Sequence, residues 1–327
     1  GGGLTRREAE IIQDVLGQLQ LPPPLVGFGL AMIGPTLLDF GSPEQKAAHI
    51  PPIVKGEIRW CQGYSEPGAG SDLASLKTRA VPDGDDFIIN GQKVWTSHAD
   101  KSDWIFALVR TNPDAKKQNG ITFILIDMQT PGVSTRPITL ISGSSPFCEV
   151  FLENVRVPRA NVVGAVDQGW TVAKALLGYE RSMIGAAMGG QLRNAEADLV
   201  QLARDQRGPA DGPLASALTR DAIADLAMDE VCFHATIQRV VEGMKGGKKP
   251  GPESSILKVV GSNLKQRRFD LAMKIAGPES TGWAGAPYEP RHLELTRDWL
   301  RARGNTIEGG TSEIQLNIIA KQLLGIG

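Results

Sequence analysis

The stretch GWTVAKALLGYERSMIGAAMGGQLRNAEADLVQLARDQR, Gly169 to Arg207, decides the architecture. Its apolar residues Ala173, Leu176, Leu177, Met183, Ile184, Ala187, Met188, Leu192, Leu199 and Leu202 recur at three- and four-residue steps. That spacing predicts one long helix with a single buried face. Glu180 interrupts the stripe, four residues after Leu176 and four before Ile184. An unpaired carboxylate is costly to bury. Two readings of Glu180 are therefore open: satisfaction by a neighbouring helix or Arg181, or chemical use.

Downstream, further helices are predicted from about Leu214 to Met244, from Ser254 to Ile275 and from about Arg291 to Arg303. A last helix is capped by Thr311 or Ser312, with Ser312 and Gln315 as a capping box. Long helices joined by short links predict a four-helix-type bundle. Upstream, from Glu57 to about Gly164, the apolar pattern has period two. Ser75–Val81 and Phe87–Trp95 flank the turn Pro82-Asp83-Gly84-Asp85, and Trp104–Thr111, Ile121–Met128, Val133–Ile138 and Cys148–Val157 continue the series. Short strands with such turns predict an antiparallel barrel or sandwich. From Leu4 to Gly56 the pattern is helical, with Thr5 and Glu8 as a capping box and Ser42-Pro43 opening a helix through Ile50. The expected class is α+β: an N-terminal helical domain over 1–56, a β domain over 57–165 and a helical bundle over 166–327. The order lacks βαβ alternation, which argues against a Rossmann fold. Gly27-Phe28-Gly29 lacks the third glycine and preceding strand of a dinucleotide fingerprint.

A chain of 327 residues is long enough for substantial cores. Its net charge of −1 makes no bulk electrostatic case for nucleic acid or an anionic membrane. Mean hydropathy is −0.14, and no apolar run approaches the roughly 20 residues of a membrane span. Cys61, Cys148 and Cys232 are distant and odd in number, which suits reduced thiols in a cytoplasm rather than disulfides or a zinc site. The start Gly1-Gly2-Gly3-Leu4 has no signal-peptide pattern and reads as the inside of a longer chain with an N-terminal piece missing.

Four segments have residue types suited to chemistry. Tyr64 to Asp72 is a glycine-rich loop leaving a strand, with hydroxyls at Ser65 and Ser71. Its glycines permit close backbone approach to a flat or anionic ligand, or simply form a tight turn. Gly91 to His98 ends a strand with Trp95, Thr96 and Ser97, an aromatic followed by two hydroxyls. Such a group can stack on and hydrogen-bond a ring system, although strand tryptophans are usually core. Glu180-Arg181 is the third, on the long helix. Glu308 to Gln315 runs two glycines into a capped helix, which makes either a phosphate site or an interhelical turn.

Together these segments resemble the acyl-CoA dehydrogenase family. The resemblance lies in Gly41-Ser42-Pro43-Glu44-Gln45-Lys46, Ser65-Glu66-Pro67-Gly68-Ala69-Gly70-Ser71-Asp72, Asn90-Gly91-Gln92-Lys93-Val94-Trp95-Thr96-Ser97 and Gly309-Gly310-Thr311-Ser312-Glu313-Ile314-Gln315. These occur in the family's order over nearly the whole chain. The resemblance implies FAD as cofactor, an acyl-CoA thioester as substrate, and an electron-transfer flavoprotein or similar acceptor. It also implies a homo- or hetero-oligomer, dimeric or tetrameric. Carried over by position, Ser65, Gly70 and Ser71 match the loop contacting flavin and acyl-CoA. Trp95, Thr96 and Ser97 match the segment beside the isoalloxazine ring, and Thr311, Ser312 and Glu313 match a FAD-contacting turn.

The family's reaction removes a proton next to the thioester carbonyl while hydride leaves the next carbon for flavin N5. Many members carry the base directly before the Gly-Thr of the last motif; here that position is Gly309. Glu308 sits one residue earlier, and the shift redirects its side chain. A second branch, including isovaleryl-CoA and long-chain enzymes, carries the base on the long helix before an Arg. Glu180-Arg181 matches it, so the expectation is Glu180 as general base with Arg181 ordering the site and contacting substrate. Two segments depart from the family pattern: Arg204-Asp205-Gln206-Arg207-Gly208-Pro209 lacks the Phe of Arg-x-x-Phe-Gly, and Lys274-Ile275-Ala276-Gly277-Pro278 stands for Gln-x-x-Gly-Gly. Both family motifs reach FAD across a subunit interface. Their loss points to a heteromer completed by a different chain, as resembles bacterial dehydrogenases of steroid side-chain CoA thioesters. A non-catalytic partner subunit and a flavin monooxygenase on the same scaffold are the competing readings.

Overall fold

The computed structural model describes residues 25–179, 195–207, 216–243 and 251–326, with scattered positions between 8 and 21. Glu180, Arg181 and the Thr5 cap lie outside the described residues. Packing divides the chain into one unit of Gly1–Ile138 with Pro146–Leu177 and another of Thr139–Ser145 with Gly178–Gly327.

In the first unit, Gly29–Ile33 and α1 (Gly34–Phe40) lead into α2 (Pro43–Lys55). Ser42 caps α2 as its sequence predicts: its Oγ accepts from the Gln45 N–H at 3.2 Å, and the Gln45 Oε1 accepts from the Ser42 N–H at 3.1 Å. Pro43 occupies the first turn, where no donor is lost, and the helix runs five residues beyond Ile50 to a left-handed Gly56. The Gln45 Nε2 also donates to Ala160 O and Val162 O, tying α2 to the segment after the sheet.

Seven strands follow: β1 (Trp60–Gly63), β2 (Arg79–Asp83), β3 (Asp86–Ser97), β4 (Trp104–Arg110), β5 (Ile121–Asp127), β6 (Val133–Ile138) and β7 (Phe147–Pro158). They form one sheet in the order β1-β4-β2-β3-β7-β6, with β5 on β4. The expected strands are present, but the sheet is mixed rather than wholly antiparallel. β1 runs parallel to β4, pairing Trp60 with Trp104 and Gly63 with Ala107. Strand direction depends on how distant segments meet, which local period-two patterning does not encode. Ile105–Val109 and Ile121–Ile126 are buried at every position, as continuous apolar runs require when both faces are covered. One face joins Phe87, Ile89, Val150 and Val155 in the core. On the other, Phe106 and Phe123 stack at 6.0 Å with Tyr64 edge-on to both.

His49 of α2 lies edge-on to Trp60 and Trp104, at 5.2 and 4.8 Å. Burial holds its imidazole below the ordinary value. As pH falls below about 6.5, the unfolded chain takes up a proton that folded His49 resists, so acid destabilises this unit. Urea unfolding at pH 7.5 and 5.5 should show His49→Gln losing less stability on acidification than the parent.

Gly169 meets β5 so closely that a Cβ would lie 2.2 Å from the Phe123 nitrogen. Residues 169–179 are helical from that point, with Val172, Ala173 and Leu176 buried. In the second unit, α3 (Ala195–Arg207), α4 (Ala217–Gly243), α5 (Ser254–Ala276) and α6 (Pro290–Ala302) form the expected bundle, followed by α7 (Ser312–Ile318). The central α5 packs on α3, α4, α6 and α7. Leu199, Leu226, Phe233, Leu257 and Leu264 fill the core between helices. Among the described residues no helix is long and apolar enough to cross a membrane, and no cluster of metal-ligating side chains occurs.

Candidate functional site

The β unit brings two of the sequence-selected segments together. Val94 N–H donates to Ser65 O at 2.9 Å, so the loop after β1 runs beside the end of β3. β3 and β7 lose register between Lys93 and Thr96, and within that bulge Trp95 adopts φ +60. A positive φ is unusual for a bulky residue and aims its side chain away from the regular alternation. Trp95 is consequently 56% exposed and set edge-on to Phe147 at 6.1 Å. Thr96 is buried, and its hydroxyl has no hydrogen-bond partner among the described residues. Ser65 and Ser97 are half-buried, whereas Gly70 and Ser71 are exposed.

Gly68 and Gly70 have no other chain atom within 4 Å of where a Cβ would stand, and neither has positive φ. The chain's own packing therefore does not require glycine there, and the backbone is open to close approach by another molecule. An outward aromatic face, adjacent hydroxyls and an open glycine backbone fit a flat, polar-edged ring system such as a flavin.

Beneath the loop lies an ion pair that sequence reading of the motifs passed over. Lys93 is 0% exposed and donates to Glu66 Oε1 at 2.7 Å, Leu108 O at 2.7 Å and Tyr64 O at 3.3 Å. Glu66 also accepts from Lys77 N–H at 2.6 Å and Thr78 N–H at 2.9 Å. Burial drives the Lys93 ammonium below its ordinary value, opposed by the adjacent carboxylate. Burial alone would push Glu66 up, but Lys93 and the amide donors outweigh it and hold the carboxyl low. The signal was present in the strand: Lys93 shares the inward parity of Phe87 and Ile89. Nearby, Arg110 donates to Ala74 O and Lys117 O, each at 2.6 Å, and Lys117 pairs with Asp72 at 2.6 Å beside Ser71.

The remaining described site residues lie in the helical unit. Gly309 and Gly310 have φ of +64 and +88, and the Thr311 Oγ1 caps α7 by accepting from Ile314 N–H at 3.3 Å. The expected Ser312–Gln315 capping box does not form, because the Gln315 Nε2 reaches back to Gly309 O at 2.9 Å. Thr311 and Ser312 are half-buried; Glu313 is exposed at the helix start, where its own N–H and the Thr311 hydroxyl hold its carboxyl low. The left-handed backbone at position 309 favours glycine over any side-chain-bearing residue. Glu308 has its Oε2 on Arg301 at 2.7 Å and its Oε1 accepting from Asn305 Nδ2. Both oxygens are thus engaged within the bundle.

The first of the two segments that depart from the family pattern bonds the residue just after the second. The Gln206 Nε2 donates to Glu279 Oε2 at 2.7 Å, two residues after Gly277, and buried His292 contacts the same carboxylate at 3.0 Å. Asp205 pairs with Arg291 at 2.6 Å. The cysteines are free; burial pushes Cys61 up to about 12 and raises Cys148, so neither supplies a ready thiolate.

The acyl-CoA dehydrogenase middle-domain model matches residues 61–155 and the C-terminal-domain model residues 167–324. Among curated relatives, the acyl-CoA dehydrogenase FadE34 of Mycobacterium tuberculosis is 38% identical over all of this chain, which spans 43% of that protein's length. The acyl-CoA dehydrogenase IpdE1 of the same organism is 37% identical over all of this chain and 82% of its own length. Among solved structures, the Tcur3481-Tcur3483 steroid ACAD matches all of this chain and 83% of that one, with TM-score 0.88 and 30% identity. The ChsE4-ChsE5 complex from M. tuberculosis matches with TM-score 0.82 and 28% identity over all of this chain and 84% of that one. The outward Trp95, the open glycine loop and the glycine turn before α7 thus sit in a chain that belongs to the acyl-CoA dehydrogenase family, whose members are FAD-dependent oxidoreductases.

Proposed function

We propose that this chain is an acyl-CoA dehydrogenase that forms an α,β double bond in an acyl-CoA thioester, with Glu180 as general base. The observation carrying the choice of base is the state of the last motif. Gly309 is left-handed glycine, and the neighbouring Glu308 is held by Arg301 and Asn305. Glu180, ahead of Arg181, is then the carboxylate whose sequence setting matches the helix-borne base. Its carboxylate takes the proton from the carbon beside the thioester carbonyl. FAD held beside these residues would supply the two-electron acceptor for the hydride of the next carbon, which balances formation of the carbon–carbon double bond. Trp95 supplies a ring face, Ser65, Thr96 and Ser97 supply hydroxyls, and Ser71 with Arg181 is assigned to the acyl-CoA. Thr311, Ser312 and Glu313 are assigned to the cofactor by their match to the family's last motif. The three-part division at 56/57 and 165/166 is the working domain description.

The substrate reading is a branched or steroid side-chain acyl-CoA, supported by the similarity to the Tcur3481-Tcur3483 steroid ACAD. Loss of flavin absorbance on mixing with straight, branched and steroid acyl-CoAs tests it, and bleaching by short straight chains alone would refute the steroid assignment. The assembly reading is a heteromer, with an electron-transfer flavoprotein or similar acceptor downstream. Its support is the sequence of the two segments, Arg204–Pro209 lacking the Phe of Arg-x-x-Phe-Gly and Lys274–Pro278 standing for Gln-x-x-Gly-Gly. The chain purified alone should hold well under one FAD, and co-purification with its partner should restore binding. One tightly held FAD per isolated chain would argue against a split site.

A further inference from the structure

We propose that the buried Lys93–Glu66 pair is a positioning device for the flavin-contacting groups of the β unit, an inference that rests on the FAD reading of Ser65 and Trp95 to Ser97. Lys93 grips the residues on both sides of Ser65: the Tyr64 carbonyl at 3.3 Å and the Glu66 carboxylate at 2.7 Å. Its third bond, to Leu108 O at 2.7 Å, anchors the loop to the buried strand β4. Lys93 also immediately precedes the register break that turns Trp95 outward, and Val94 N–H is bonded to Ser65 O. One ammonium therefore fixes the loop hydroxyl and the strand platform in a single frame.

Glu66 completes that frame. Its two oxygens accept from Lys77 and Thr78 N–H groups, while its backbone exchanges hydrogen bonds with Ala69 at 3.0 and 3.1 Å. The Glu66 backbone thereby holds the open Gly68–Gly70 segment at Ala69, while its carboxylate fixes the chain at Lys77 and Thr78. An apolar pair of similar volume commonly stabilises a fold as well as a buried ion pair does, so stability alone gives little reason for these charges. Directional fixation of ligand-contacting groups is what a charged, multiply bonded pair adds.

The test uses the protein with whatever partner it needs for FAD uptake. The double variant Glu66→Gln/Lys93→Met leaves neither charge buried alone. It should melt close to the parent yet bind FAD about tenfold or more weakly, the scale seen when supports of ligand-contacting groups are removed. Its visible flavin band and midpoint potential should also move. Val155→Ala, in the β core away from the loop, serves as a control for a general loss of stability. Parental FAD affinity and spectrum in the double variant, or an equal loss in Val155→Ala, would overturn the proposal. If the double variant does not fold, Glu66→Asp retracts the carboxylate by one methylene with its charge kept, and the same readings apply. Failure of the parent assembly to bind FAD would instead refute the underlying functional reading.

Discussion

Glu180→Gln is expected to reduce dehydrogenation by about 100- to 10,000-fold, the contribution typical of a positioned general base. The carbon acid beside a thioester is weak, and an amide cannot take its proton. Gln preserves the size and hydrogen-bonding shape of Glu, so flavin content and thermal stability should change little. Single-turnover flavin reduction by acyl-CoA reads the step directly, without the electron acceptor. The complementary variant, Glu308→Ala, should retain most of that rate, because Glu308 serves Arg301 and Asn305. Its cost should appear in the melting temperature. Fast reduction in Glu180→Gln with slow reduction in Glu308→Ala would reverse the assignment.

Lys93→Met should destabilise the β unit by about 3–5 kcal/mol, because it strands the Glu66 carboxylate in a buried site. Stabilities of whole domains are only about 5–15 kcal/mol, so the loss should be plain in urea unfolding. The same argument predicts non-additivity: adding Glu66→Gln removes the stranded charge and should recover much of the loss. A single variant as stable as the parent would mean that Glu66 takes up a proton at little cost. Repeating the measurement at pH 5 and 7.5 separates these cases. A stranded carboxylate is relieved by acid, whereas simple loss of packing is not.

Much of this molecule is legible residue by residue. The apolar runs over β4 and β5, the Ser42 cap and the long periodic helices follow from period, propensity and capping chemistry. Those are properties of residues within a few positions of one another. The motifs from Ser65, from Asn90 and from Gly309 likewise carry the family assignment without coordinates. Three features needed the folded chain. β1 lies parallel to β4, Lys93 meets a carboxylate 27 residues away, and Gln206 meets Glu279 across 73. Gln315 shows the same limit at short range: its place three residues after Ser312 allows a capping box, but its side chain bonds the Gly309 carbonyl in the turn where Gly309 and Gly310 have positive φ. The sequence by itself determined the elements and the family, because local pattern encodes which faces are buried. Only the tertiary structure decided which strand runs beside which and which buried charge finds a partner, because both depend on where distant segments cross.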